Sequence, residues 1–140
     1  MVVPDCVFCA VSTMRTHADV VWADEQTVAF LDRAPLFKGH VLVVPRRHVA
    51  TLADLHDHEV APLFVTVRRI AAALPRALDA HGTFVANNNV VSQSVPHLHV
   101  HVVPRRRKDG LRGFFWPRQK YEAGESHSVA EAIRSSLAPD

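Results

Sequence analysis

Apolar and polar positions alternate in short bursts through the first third of the chain. Residues 19–23 (DVVWA) and 26–31 (QTVAFL) carry the two-residue period and β-branched content of strands, and Asp24-Glu25 marks the turn between them. From Asp32 to Gly39 the period breaks, with Pro35 and Gly39 supplying turn chemistry. Residues 40–45 (HVLVVP) predict a third strand, apolar on both faces as a central strand is. The period then changes. Val60, Leu63, Phe64, Val67, Ile70, Ala71 and Leu74 recur at helical spacing, with Asp57 as the expected N-cap and Pro75 as a kink or end. After Gly82, residues 83–88 (TFVANN) and 97–103 (HLHVHVV) predict a fourth and a fifth strand. Val129, Ile133 and Leu137 line a short last helix, with Ser126 or Ser128 available as cap. Strands joined by short turns pair antiparallel, and one long helix covers one face of the resulting sheet. The expected class is therefore α+β: about five antiparallel strands, one long helix and a short C-terminal helix.

Composition narrows the function. The chain has 140 residues, 48% apolar and 21% charged, which describes one domain spanning 1–140. A chain of this size buries roughly two-thirds of its unfolded surface and needs no covalent staples. No repeat, low-complexity tract or Gly/Ser linker suggests a boundary. No apolar run approaches the ~18 residues of a bilayer span, and the start, MVVPDCVFCA, lacks a signal-peptide pattern, so the expected setting is cytoplasmic and soluble. A net charge of +2 is too mild to imply nucleic acid as a partner. The five glycines are scattered and form no phosphate-cradling loop, which argues against kinase-type transfer.

Ten histidines and two cysteines carry the chemistry. Cys6 and Cys9 form a C-x-x-C pair near the N-terminus. In a reducing compartment such a pair suggests a metal or redox site, or two buried thiols. Any further metal ligands must be histidines brought in by the fold, because no second cysteine pair exists. His97, His99 and His101 alternate with Leu98, Val100 and Val102, so a strand places the three imidazoles on one face, about 7 Å apart, and the aliphatic residues on the other. Two chemistries fit three such rings. They could hold a catalytic zinc, or one could attack phosphorus while its neighbours bind phosphoryl oxygens, a task suited to an imidazole largely neutral near pH 7.

Residues 97–103 (HLHVHVV) match His-φ-His-φ-His-φ-φ, with φ apolar, at every position, and here the chain resembles the histidine-triad (HIT) superfamily of nucleotide hydrolases and transferases. Ser92-Gln93-Ser94-Val95, Phe30-Leu31-Asp32 with Pro35, Gly39-His40-Val41-Leu42-Val43-Val44-Pro45, Arg47-His48 and the C-x-x-C pair extend the resemblance over about residues 5–105. The resemblance implies that His99 attacks the α-phosphorus of a nucleotide ester, anhydride or phosphoramidate, a purine derivative first among them, forming a nucleotidyl-histidine. It implies further that His101 binds non-bridging oxygens through charge-assisted hydrogen bonds and that Ser94 donates to the phosphate or the leaving atom. Gln93 and Asn88 would position phosphate or backbone, Asp32 would accept from the ribose hydroxyls, and His40 would buttress the nucleophile. Cys6, Cys9, His48 and His97 would hold one structural zinc, with no organic cofactor.

Residues 104–140 form a C-terminal extension beyond that core. Its stretch 104–121 holds seven of the sixteen basic residues against one acid, Asp109, which suits either distal phosphates or a solvated loop. The run Phe114-Phe115-Trp116 would be adhesive if exposed. With the family usually dimeric, it leads to the expectation of a homodimer in which Trp116 or a neighbour crosses to the partner. Two other function classes stay open: a nucleotide-binding partner protein with incidental turnover, and a hydrolase using the triad as zinc ligands. A DNA-end repair role would call for a further zinc finger, and no cysteine follows Cys9.

Overall fold

In the computed structural model, residues 3–111 and 118–137 are described. They divide into two compact units, Met1–Asp109 and Gly110–Asp140, each considered by itself. The first contains α1 (Val7–Ser12), β1 (Val20–Ala23), β2 (Thr27–Leu31), β3 (Val41–Pro45), α2 (Asp57–Leu78), β4 (Gly82–Ala86) and β5 (Val100–Arg105), with a short 3-10 turn at Leu52–Asp54. The second contains α3 (Glu125–Leu137), whose Val129, Ile133 and Leu137 are exposed. Ser126 and Ser128 lie inside its first turn rather than capping it. Among the described residues no helix is long and apolar enough to cross a membrane.

The five strands form one antiparallel sheet in the order β1-β2-β3-β5-β4. All five residues of β3 are buried, as its two-sided apolar sequence requires. Strand parity sorts the core into two layers. Ala29, Val41, Val43, Leu98, Val100 and Val102 face α2 and meet Leu63, Val67, Ile70 and Leu74. Val28, Phe30, Leu42 and Val44 face the other way and meet Cys6, Phe8, Cys9 and Val11 from α1. A buried Leu such as Leu98, fully shielded here, contributes about 2 kcal/mol by its transfer out of water.

One element and several boundaries differ from the sequence expectation. α1 was not expected. Cys6 caps it by accepting from the Cys9 N–H, and its buried face supplies half of the second layer. α2 is capped at His56, one residue earlier than Asp57, with Glu59 returning a bond to the His56 N–H. It also passes through Pro75 to Leu78, because Leu74 and Leu78 continue the stripe that packs on the sheet and outweigh one lost backbone bond. β4 stops at Ala86, and β5 begins at Val100 and runs on through Pro104 to Arg105.

Two basic side chains at the end of β5 are used by the fold. Arg105 makes a two-pronged pair with Asp109, and Arg106 donates to the carbonyls of Leu78 and Asp79 at the end of α2. Residues 112–117, with Arg112 and the Phe114-Phe115-Trp116 run, lie outside the described residues.

The loop from β3 to α2 is pinned by Arg47, whose guanidinium grips both oxygens of Glu59 at 2.5 and 2.6 Å. Hydrogen bonds from Arg47 hold the Glu59 carboxyl down at about 2, against an ordinary 4.5. A carboxyl depressed in the folded state stabilises above its unfolded value, and that contribution fades as pH falls toward the folded one. Glu59→Gln should therefore lower the melting temperature by a few degrees at pH 7, and the gap to wild type should close between about pH 4.5 and 2 in thermal melts.

Candidate functional site

The site is built on the segment that enters β5. Parity aims Leu98, Val100 and Val102 at α2 and leaves His97, His99 and His101 on the α1 face. His97 and His99 precede the regular ladder because their backbone finds other partners. The Leu98 N–H donates to the Val49 carbonyl at 2.7 Å, and the Asn87 amide donates to the His99 carbonyl at 2.8 Å. The ring centroids of His99 and His101 are 5.0 Å apart, and Phe8 sets its edge against His97 at 5.9 Å and His99 at 5.1 Å.

Hydrogen bonds fix which nitrogen of each neutral ring carries the proton. A carbonyl only accepts, so His97 holds its proton on Nε2, 2.8 Å from the Pro45 carbonyl, and its bare Nδ1 lies 3.3 Å from Cys6 Sγ. His99 is reversed: Nδ1 donates to the His97 carbonyl at 2.8 Å, which leaves the lone pair on Nε2. The Leu36 N–H donates to His40 Nδ1 at 3.1 Å, so His40 donates from Nε2 to His101 Nδ1 at 2.9 Å. His101 is left with a proton on Nε2. One bare nitrogen and one N–H therefore belong to adjacent rings. Burial pushes His97 and His101 down to about 4, and neighbouring histidines add to the shift. Burial also lowers His40, against the opposing pull of Asp32. His101 in the free protein is thus a neutral donor, and any charge assistance in a bond to phosphate would come from the anionic oxygen.

On the other side of His97 stands a candidate metal centre. Cys9 Sγ lies 3.5 Å from His48 Nδ1 and 3.6 Å from His97 Nδ1, and the donor atoms of Cys6, Cys9, His48 and His97 all lie within 4.8 Å of one another. Tetrahedral zinc with ordinary Zn–S and Zn–N bonds requires a sulfur-to-nitrogen edge of about 3.5 Å. The residues present are positioned to bind a metal, and two thiols with two imidazoles make a set soft enough for zinc.

Beside the triad lies a cleft lined by Asp32, Arg33, Ser94, His99 and His101, with an apolar wall of Val7, Phe8, Val11, Phe30 and Leu42. Asp32 is held by the Ala34 N–H at 2.9 Å, and its second oxygen lies 3.8 Å from His40 Nδ1. Two buried or half-buried histidines, a carboxylate and a hydroxyl thus meet an apolar slot, the mixed lining that small-molecule sites have.

With that geometry in place, the comparisons with known proteins are direct. The HIT domain family matches residues 14–108. This chain belongs to the HIT family. The solved structure of a HIT family member from Bacillus subtilis superposes with a TM-score of 0.89 at 31% identity, over 97% of this chain and 99% of that one. A Zn-bound histidine triad family protein from Mycobacterium smegmatis superposes with a TM-score of 0.73 at 32% identity, over 94% of this chain and 97% of that one. An adenosine 5'-monophosphoramidase of Saccharomyces cerevisiae is 31% identical over 133 residues, 94% of this chain and 82% of that protein.

Within the HIT domain the expected site residues divide into those at the cleft and those away from it. Asp32, Ser94, His99 and His101 line it, with His40 packed against His101. Gln93 does not line it. Its side chain accepts from the Val90 N–H and donates to the Ala50 carbonyl, bracing a loop in which Val90 and Ser92 adopt left-handed backbone. Asn88 is exposed and away from the cleft lining. Its neighbour Asn87 is the one that bonds the triad backbone, a choice three successive asparagines do not reveal in sequence. The wall residues Val7, Phe8 and Val11 were also missed, although their i, i+1, i+4 spacing around Cys9 is a helical signal. The triad does not converge on one metal either. The two donor clusters among the described residues are the cysteine set and Asp32-His40-His101. Long-range 15N–1H spectra at pH 7 should show His99 protonated on Nδ1 and His101 on Nε2; the opposite assignment for His99 would contradict the geometry.

Proposed function

We propose that this protein is a nucleotide hydrolase or nucleotidyl transferase acting at the α-phosphate of a purine nucleotide, with a phosphoramidate as its first substrate class. The observation that carries this reading is His99. Its Nδ1 is committed to the His97 carbonyl, so the lone pair on Nε2 is directed to the cleft. Nε2 forms a bond to the α-phosphorus as the P–N or P–O bond to the leaving group breaks, and the leaving atom takes a proton, with Ser94 the hydroxyl nearest in sequence and lining the same cleft. Water then displaces His99 from phosphorus and releases the nucleoside monophosphate. His101 offers its Nε2–H to the non-bridging oxygens, a donor oriented beforehand by His40 and so free of reorganisation cost when charge develops. Asp32 accepts from the ribose hydroxyls, two donors suited to one carboxylate. The phosphoramidase activity of the yeast relative supports the substrate class.

Cys6, Cys9, His48 and His97 are proposed to hold one structural zinc. Four protein donors leave no position for water, so its chemistry is anchorage. The Zn-bound relative supports this. The reading includes a single HIT domain over 1–140 and a cytoplasmic setting suited to reduced cysteines. It also includes a homodimer, for which the Phe114-Phe115-Trp116 run is the support.

His99→Ala should cut turnover of adenosine 5'-phosphoramidate by about 10³-fold or more while AMP still binds. Retained turnover would remove the nucleophile, and wild-type protein that binds AMP but releases no product would make the site a binding module. Elemental analysis of protein purified without chelator should find one zinc per chain, and Cys9→Ser should lose it. Light scattering at micromolar concentration should give the mass of a dimer.

A further inference from the structure

One short helix belongs to two sites at once. Cys6 and Cys9, two of the four metal donors, are the N-cap and third residue of α1. Val7, Phe8 and Val11 of the same helix form the apolar wall of the cleft. α1 has only six residues, and an isolated helix of that length has no stability of its own in water. Its position depends on what anchors it.

Besides Cys9 and Val11 buried in the core and the bond from Arg46 to the Ser12 carbonyl at 2.6 Å, two anchors tie α1 to the sites themselves. The packing anchor is Phe8, 7% exposed, whose ring lies 5.4 Å from Phe30 and sets its edge on both His97 and His99. The polar anchor is the donor set, which joins α1 to His48 after β3 and to His97 before β5. Without a metal, the thiols and imidazoles meet through weak contacts of 3.3–3.6 Å. With one, each becomes a ligand bond, and the free energy of binding is available to fix the helix. His97 then relays the restraint, since its carbonyl holds His99 Nδ1.

We infer that metal occupancy of the Cys6-Cys9-His48-His97 centre and nucleotide affinity of the cleft are thermodynamically coupled through α1, with Phe8 as the positioning residue between them. This rests on the nucleotide reading of the cleft. Coupling of this kind is reciprocal: the factor by which zinc tightens nucleotide binding is the factor by which nucleotide tightens zinc binding. The protein's response to nucleotide is thereby gated by the metal without any metal at the phosphorus.

The test uses the full chain, AMP as the cleft probe and zinc as the metal probe, with binding rather than turnover as readout. AMP dissociation constants are measured by calorimetry on zinc-loaded and chelator-stripped protein. Zinc affinity is measured by competition with a chromophoric chelator, with and without saturating AMP. The expected result is about tenfold weaker AMP binding after stripping, and the same factor in zinc affinity. Phe8→Ala separates this local route from loss of the whole fold. It should still take up one zinc per chain, weaken AMP binding to the loaded protein, and remove most of the zinc dependence. Equal AMP affinity in the two metal states overturns the inference, as does a Phe8→Ala variant that keeps the full factor. Loaded protein that binds no AMP would instead overturn the nucleotide reading itself, and this inference with it.

Discussion

Side-chain alternation along residues 97–103 is the constraint from which the rest of the molecule follows. Even positions must enter the layer under α2, because Leu98, Val100 and Val102 are its centre and are fully shielded. Odd positions are then forced onto the opposite face, where three imidazoles would be costly to bury unless each nitrogen found a partner. A register slip of one residue would exchange the two sets and destroy core and site together. The sheet order reinforces this. β5 lies between β3 and β4, so the triad segment leads into the interior of the sheet and not along an edge.

Satisfying those rings is what differentiates them. His97 turns its proton to the Pro45 carbonyl and its bare nitrogen to the cysteines. His99 turns its proton to the His97 carbonyl, while His101 receives one from His40. Three identical side chains on one extended segment thus acquire three capacities: a bare nitrogen beside the cysteines, a bare nitrogen at the cleft and a hydrogen-bond donor. Nothing in the residue type distinguishes them; the backbone carbonyls and the neighbouring ring do. Burial keeps His97 and His101 neutral at physiological pH, which preserves the pattern.

The sheet was legible in the sequence because its strands are short, β-branched and bounded by turn residues, and α2 because its apolar stripe persists for five turns. Pro75 misled, since a local rule about proline lost to the packing of Leu74 and Leu78. α1 was hidden because six residues between a cysteine and a threonine show little more than one helical turn of pattern. The site was legible where residue type is distinctive, as in the triad, Asp32 and the cysteine pair. It was not legible where geometry selects among equals: Asn87 from three asparagines, or His101 as the partner of His40. Nor did the basic run at the end of β5 announce that Arg105 and Arg106 are occupied in closing the fold.

The proposed chemistry is attack of the bare Nε2 of His99 on phosphorus. It is tested most directly by mixing the zinc-loaded protein with adenosine 5'-phosphoramidate, denaturing it within the first turnover at alkaline pH, where phosphorus–imidazole bonds persist, and mapping the peptides by mass spectrometry. The account predicts one adenylyl adduct per active site, carried by the imidazole of His99. An adduct on His97 or His101, or steady product release with no adduct at any time point, would contradict it.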